Sequence, residues 1–320
     1  MIDSPVYISG HYRSGTTLIS NILDQNPDLK ITYGTIHYLR SYGKYEPISE
    51  RYGELIKDTC ERLRKKWQLE AQELEMIQEV EKSTNITNAV VYDALMRVFL
   101  ETSQNERWGE KTNVQWEGML PFLDMFLNGR CIHIIRDPRA VLASFKHFTF
   151  QPTPRYLDSN FAAMAMFDFV ARDEIKSDPR ILLLKYEDLI LNPEKVIRNI
   201  CDHLQVTFHE KMLDMTGQAN APYEANSSFH DAKKTIDSAS LDLWKNKLSK
   251  ADIAFTEGLL GERMSKWGYE KTNPTLSEDD RNELDGFRNH PYIKQRLKYV
   301  ASHGTGQQAF PDDENAYQLK

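Results

Sequence analysis

Val6-Tyr7-Ile8-Ser9-Gly10-His11-Tyr12-Arg13-Ser14-Gly15-Thr16-Thr17-Leu18 is the stretch that decides the fold. Val6 to Gly10 is short, apolar and without alternation, as a strand buried on both faces must be, and its closing glycine opens a tight turn. From Gly15 onward Leu18, Ile19, Ile22 and Leu23 recur at helical spacing until Asn26-Pro27 ends the pattern. Between strand and helix, Gly10 to Thr17 aligns with the phosphate-binding pattern G-x-x-x-x-G-K-[ST], except that Thr16 stands where the lysine belongs. A glycine-bounded loop of this kind aims successive backbone N–H groups at one point, and the helix dipole adds partial positive charge there. Anion binding therefore survives loss of the lysine, and Arg13 places a guanidinium in the same loop.

The unit recurs. Arg130 to Ile135 (RCIHII) predicts a second buried strand, followed by Asp137 as a helix cap, Pro138 at the first helical position, and an apolar face of Val141, Leu142, Phe145 and Phe148. Arg180 to Leu184 (RILLL) predicts a third, and Asn192-Pro193 opens a helix carrying Val196, Ile197, Ile200, Cys201 and Leu204. Unalternating strands interleaved with helices give a parallel sheet covered on both sides. Such sheets bind ligands beyond the carboxyl ends of their strands, where Arg13 and Arg136, with Ser144 eight residues further on, are both expected. Two cationic loops at one sheet edge point to a ligand with two separated anionic groups. For Arg136 alone, pairing with Asp137 or capping of a neighbouring helix is the competing explanation.

The expected fold is α/β, a P-loop-like parallel sheet flanked by helices, in one domain over 1–320. A helical insertion is expected over 41–107, where Glu50 to Glu81 reads as one or two solvated helices and Val90 to Leu100 as another. A helical C-terminal extension and fraying polar tail are expected over 275–320.

Composition narrows the function classes. Forty per cent hydrophobic and 27% charged residues exclude a disordered chain. A net charge of -7 offers no global attraction for a nucleic acid or an anionic membrane, so neither is expected as a partner. No window approaches a membrane span, and Met1 to Tyr12 lacks the pattern of a signal peptide. The three cysteines, Cys60, Cys131 and Cys201, are too scattered for a zinc cluster or a disulfide framework. A cytoplasmic enzyme or binding protein for a small anion is the expectation.

The ordered motifs resemble those of the sulfotransferases that use 3′-phosphoadenosine 5′-phosphosulfate (PAPS). Arg13-Ser14-Gly15-Thr16-Thr17-Leu18 with Leu23-Asp24-Gln25-Asn26-Pro27-Asp28 is similar to the family's first motif. Arg136 to Arg139 with Ser144 is similar to its second, and Tyr186-Glu187-Asp188-Leu189 and Trp267-Gly268-Tyr269 to two later boxes. The resemblance covers most of residues 5 to 270. It implies that Arg13, Ser14, Gly15, Thr16 and Thr17 hold the 5′-phosphosulfate, that Arg136 and Ser144 hold the 3′-phosphate, that Tyr186 lines the adenine or phosphate side, and that Ser228 is a further serine contacting phosphate. Ser228 is included for its position sixteen residues before Trp244. It also implies that Lys111, in Trp108-Gly109-Glu110-Lys111-Thr112, is the second catalytic cation beside Arg13. The co-substrate would be PAPS, the reaction needs no metal, and the partner would be a small hydroxylated acceptor.

The general base departs from the pattern. Where many relatives carry a glutamate, this chain has Tyr33, Gly34 and Thr35, and His37 follows. An imidazole with an ordinary pKa of ~6.5 suits a base at neutral pH, so His37 is the expected catalytic base, with Glu110 and His147 as alternatives. Two other functions compete: a P-loop kinase-like phosphotransferase, which would need the missing lysine, and a non-catalytic nucleotide-binding protein, favoured by the missing glutamate. The acceptor wall is expected from Tyr42, Tyr45, Tyr52, Trp67 and the segment His147 to Tyr156.

Overall fold

A computed structural model describes residues 4–32, 36–103, 106–148, 155–213 and 241–304. Five strands, β1 (Val6–Gly10), β2 (Leu29–Thr32), β3 (Arg107–Lys111), β4 (Arg130–Ile135) and β5 (Ile181–Lys185), form one sheet in the order β2-β3-β1-β4-β5. Every pairing is parallel, with Val6 opposite both Gly109 and Arg130. The expected class is therefore the observed one. The sequence reading missed β2 and β3, because Leu29-Lys30-Ile31-Thr32 and Arg107-Trp108-Gly109-Glu110-Lys111 carry charges and a glycine where a buried strand is expected to be apolar.

Both faces of the sheet are covered, which removes the need for alternation. Val6, Ile8, Ile132 and Ile134 face α1 (Thr16–Asp24) and, further on, α10 (Tyr186–Leu191) and α11 (Pro193–Leu204). Tyr7, Cys131 and Ile135 face the larger cluster. To that cluster belong α2 (Tyr38–Ser41), α3 (Ile48–Arg62), α4 (Glu73–Glu81), α5 (Asn88–Leu100), α6 (Met119–Met125) and α8 (Asp158–Val170). Between β4 and α8 runs α7 (Pro138–Phe148), and α9 (Asp173–Ser177) leads into β5. The last described segment, 241–304, holds α12 (Trp244–Lys247), α13 (Lys250–Ser265), α14 (Glu278–Asn289) and α15 (Pro291–His303).

The helices between β2 and β3 are less solvated than their charge suggests. Leu55, Ile56 and Cys60 on α3 and Met76 and Val80 on α4 are buried. On α5, Tyr92 stacks on Tyr38 with ring centroids 4.4 Å apart and packs against Trp108 and Phe126. The helical layer thus shares its core with β3 and contributes directly to the environment of Glu110. Among the described residues no helix is long and apolar enough to cross a membrane.

Candidate active site

The loop after β1 is shaped by two left-handed residues, Arg13 (φ +66°) and Gly15 (φ +103°). Ser14 ties it down, its Oγ donating to the His11 carbonyl at 2.6 Å and its backbone N–H reaching the same oxygen at 3.2 Å. Gly15 then caps α1 without a side chain, and none fits: a Cβ there would lie 2.4 Å from Cδ2 of Tyr186. Thr16 Oγ1 donates to Asn113 Oδ1 at 2.8 Å, linking the start of α1 to the chain just past β3.

Two guanidiniums meet at this loop. Arg13 Nε donates to Ser144 Oγ on α7 at 2.9 Å, and Arg136 Nη1 donates to the Arg13 carbonyl at 2.8 Å. Arg136 lies over the Tyr186 ring, 4.1 Å from its centroid. Its Nε is buried with no hydrogen-bond partner, and no carboxylate among the described residues pairs with it. Burial first, and then the charge of Arg136, holds the Arg13 pKa below its ordinary value. Like charges held close together beside a helix N-terminus favour an anion that both can share. The arrangement suits phosphate or phosphosulfate oxygens, and it gathers Arg13, Ser144, Arg136 and Tyr186 into one cluster.

The pairing with Asp137 falls to another residue. It is Arg139 that pairs with Asp137, at 2.7 Å, and it also reaches Glu257 at 2.7 Å and stacks on Trp244. Asp137 meanwhile accepts the Arg139 backbone N–H at 2.9 Å, the expected capping role. Glu187 joins the remaining boxes: it accepts the Asp137 N–H at 3.0 Å and the Tyr269 hydroxyl at 2.7 Å. The late Trp-Gly-Tyr sequence is therefore a clamp on the strand-end loops.

Lys111 and Glu110 end β3 and point to opposite faces. Lys111 lies in register with Ile8, on the face that carries α1. Only 6% exposed, it has no ion pair or hydrogen bond among the described residues, and burial lowers its pKa to about 8. Glu110, fully buried, faces the helical layer. One carboxylate oxygen accepts the His37 backbone N–H at 2.5 Å and the other accepts the Tyr92 hydroxyl. Desolvation raises its pKa to about 7, opposed by those hydrogen bonds and by the charge of Arg62. With both oxygens engaged, Glu110 is a holder of the His37 backbone rather than a group open to a substrate.

His37 itself is left-handed (φ +51°) and caps α2. Its Nδ1 lies 2.9 Å from Nε2 of Gln115. His11 and His133, in contrast, are buried, and desolvation keeps them neutral, lowered to about 4 and about 3. Tyr42 stacks on Tyr38, whereas the hydroxyls of Tyr45 and Tyr52 reach Asp58 and Glu81 within the helical layer. Ser228, Tyr33 to Thr35 and the side chains of Trp67 and His147 lie outside the described residues. Sequence reasoning missed Gln115 and Asn113, which follow β3 in a loop without a recognisable pattern. Among the described residues no cluster of three or more His, Cys, Asp or Glu side chains could hold a metal ion.

Residues 5–210 match the Sulfotransferase family. The chain belongs to that family. This sulfotransferase is 21% identical over 281 residues to the Caenorhabditis elegans protein-tyrosine sulfotransferase A, covering 84% of this chain and 68% of that one. Its fold is similar to the sulfotransferase domain of the Synechococcus PCC 7002 olefin synthase (TM-score 0.54, 22% identity, 84% of this chain and 96% of that chain). It is also similar to the sulfotransferase domain of the curacin biosynthetic pathway (TM-score 0.52, 19% identity, 84% and 98%).

Proposed function

We propose that this sulfotransferase moves a sulfuryl group from PAPS to the hydroxyl of a small-molecule acceptor, giving PAP and a sulfate ester. The observation that carries the reading is the pair of guanidiniums, Arg13 and Arg136, joined through the Arg13 carbonyl and Ser144 at the N-terminus of α1. Backbone N–H groups from Arg13 to Thr17 hold the 5′-phosphosulfate, while Arg136 and Ser144, beside Tyr186, take the 3′-phosphate. Lys111 supplies charge from the neighbouring strand end toward the oxygen that bridges phosphorus and sulfur. The acceptor oxygen forms a bond to sulfur as the bridging S–O bond breaks, and His37 takes the acceptor proton. The chain's work is alignment of two oxygens and stabilisation of charge on the departing phosphate.

Tyr38, which follows His37 in the chain, and Tyr42, which stacks on it, form an aromatic neighbourhood that suits a small, partly apolar acceptor. The test has two parts. Thermal stabilisation by PAP but not by ATP with magnesium supports the donor assignment, and the reverse pattern favours a phosphotransferase. A screen with 35S-labelled PAPS against cell metabolites and tyrosine peptides then identifies the acceptor. Labelling of peptides alone would overturn the small-molecule part of the proposal.

A further inference from the structure

We propose that Gln115 is the positioning residue for His37: its side-chain carbonyl accepts the Nδ1 proton and so directs Nε2 to receive the acceptor's proton. The inference rests on His37 being the base. A neutral imidazole carries one ring proton, and the hydrogen bond made by one nitrogen sets the role of the other. The Gln115 amide lies 2.9 Å from Nδ1. With Nε2 of Gln115 turned toward the ring, Oε1 of the same amide is buried without a partner. The two amide atoms have the same shape, and whichever faces the ring leaves the other in that place. The exchanged orientation, with the oxygen on Nδ1–H, is the one that leaves Nε2 of His37 without a proton and able to act as base.

The support for Gln115 is rigid. Its backbone carbonyl accepts the hydroxyl of the fully buried Tyr7 at 2.8 Å and the Gly118 N–H at 3.1 Å. Gly118 keeps this approach open, since a Cβ there would lie 2.7 Å from the Tyr7 hydroxyl. The His37 backbone is fixed independently by Glu110, and the preceding Ile36 carbonyl by Arg62 at 2.5 Å. One segment, from the end of β3 to Gln115, thus places Lys111 on one face of the sheet and both holders of His37 beyond the other. During transfer the acceptor O–H proton passes to Nε2 as the oxygen bonds to sulfur. The bridging S–O bond breaks, its electron pair leaves on PAP, and the imidazolium keeps Nδ1–H on the Gln115 carbonyl. Among the described residues, the charged and titratable groups tied to this segment are Glu110 from β3 on the His37 N–H, Tyr92 from α5 and Arg62 from α3 against Glu110, and Arg40 on α2 against Arg62, all unchanged in Gln115 variants.

Three measurements test the assignment, using the full chain, 35S-PAPS and the best acceptor of the screen. Gln115→Leu should lower kcat on the order of 10²-fold, the lower end of what a positioned base supplies, with PAP affinity retained. Gln115→Glu keeps an acceptor for Nδ1–H and adds charge, so it should retain turnover while its acidic limb moves up by roughly one pH unit or more. The 15N spectrum of the PAP-bound wild-type protein should show His37 protonated on Nδ1. A proton on Nε2, an unaltered Gln115→Leu, or equal losses in both variants with no movement of the limb would overturn the role of Gln115. Normal turnover by His37→Ala removes the base and this proposal together. A dead His37→Ala beside an unaltered Gln115→Leu removes Gln115 alone.

Discussion

Arg13 and Ser144 stand 131 positions apart in the chain, yet Arg13 Nε donates to Ser144 Oγ at 2.9 Å. The bond joins the loop after β1 to the helix after β4, two adjacent strands, and fixes where the Arg13 guanidinium points. Ser144→Ala should loosen that orientation and weaken PAP binding on the order of 10-fold, the scale of one hydrogen bond to a charged group. Arg136→Ala should cost more, since it removes a cation and the bond that holds the Arg13 carbonyl. Titration calorimetry with PAP reads both. Wild-type affinity in Arg136→Ala would refute the 3′-phosphate assignment.

Gly15 makes a sharper local prediction. Gly15→Ala would set a side chain at φ +103° and press its Cβ against the Tyr186 ring. The left-handed backbone alone costs roughly 1–2 kcal/mol, and the clash displaces the ring on which Arg136 stacks. The variant should fold with a lowered Tm and lose PAP binding. Retained affinity would mean that Tyr186 can move without consequence.

The legible and illegible parts of the site differ for a physical reason. Arg13 to Thr17 and Arg136 could be read because a phosphate loop and a capped helix are local patterns, each written in consecutive residues. Lys111 needed the family resemblance, since Gly-Glu-Lys-Thr carries no sign of being a strand end. The reach of Arg139 to Glu257, and the support of His37 by Gln115 and Glu110, link residues distant in the chain, so spacing alone carries no trace of them.

Lys111 should destabilise the ligand-free protein that it serves. Its folded pKa of about 8 lies below the ordinary lysine value of 10.5. Between these values the unfolded chain binds more protons, so stability should rise with pH from 8 to 10.5. Below pH 8 the full penalty of a buried ammonium applies, about 3 kcal/mol for a shift of this size. Lys111→Met fills similar volume without the charge. It should raise the Tm by several degrees at pH 7 and abolish sulfuryl transfer. A lowered Tm would show that the ammonium is not the burden its burial implies.

Glu110 carries the opposite sign. Its pKa, raised from 4.5 to about 7, means that the folded protein holds the proton more tightly than the unfolded chain. No penalty applies below pH 4.5, and stability is lost as pH rises toward 7 and the buried carboxyl ionises. Glu110→Gln retains an acceptor for the His37 N–H and cannot ionise. Denaturant unfolding at pH 5 and pH 8 should show the variant gaining on the wild type by up to about 3 kcal/mol at the higher pH. Parallel curves would contradict ionisation of Glu110 in this range.

His37→Ala separates chemistry from binding. His37 is reached through Gln115 and Glu110, whereas the anion cluster of Arg13, Ser144, Arg136 and Tyr186 is assembled from other elements. Loss of the imidazole should therefore leave PAP affinity within about twofold while transfer falls by ~10²- to 10⁴-fold, the range that a positioned base contributes. Because the backbone of residue 37 would still donate to Glu110, the fold should persist, which a thermal melt with PAP checks directly. If PAP affinity and turnover fell together, His37 would belong to the organisation of the donor site. If turnover held, the proton would have to leave by another group.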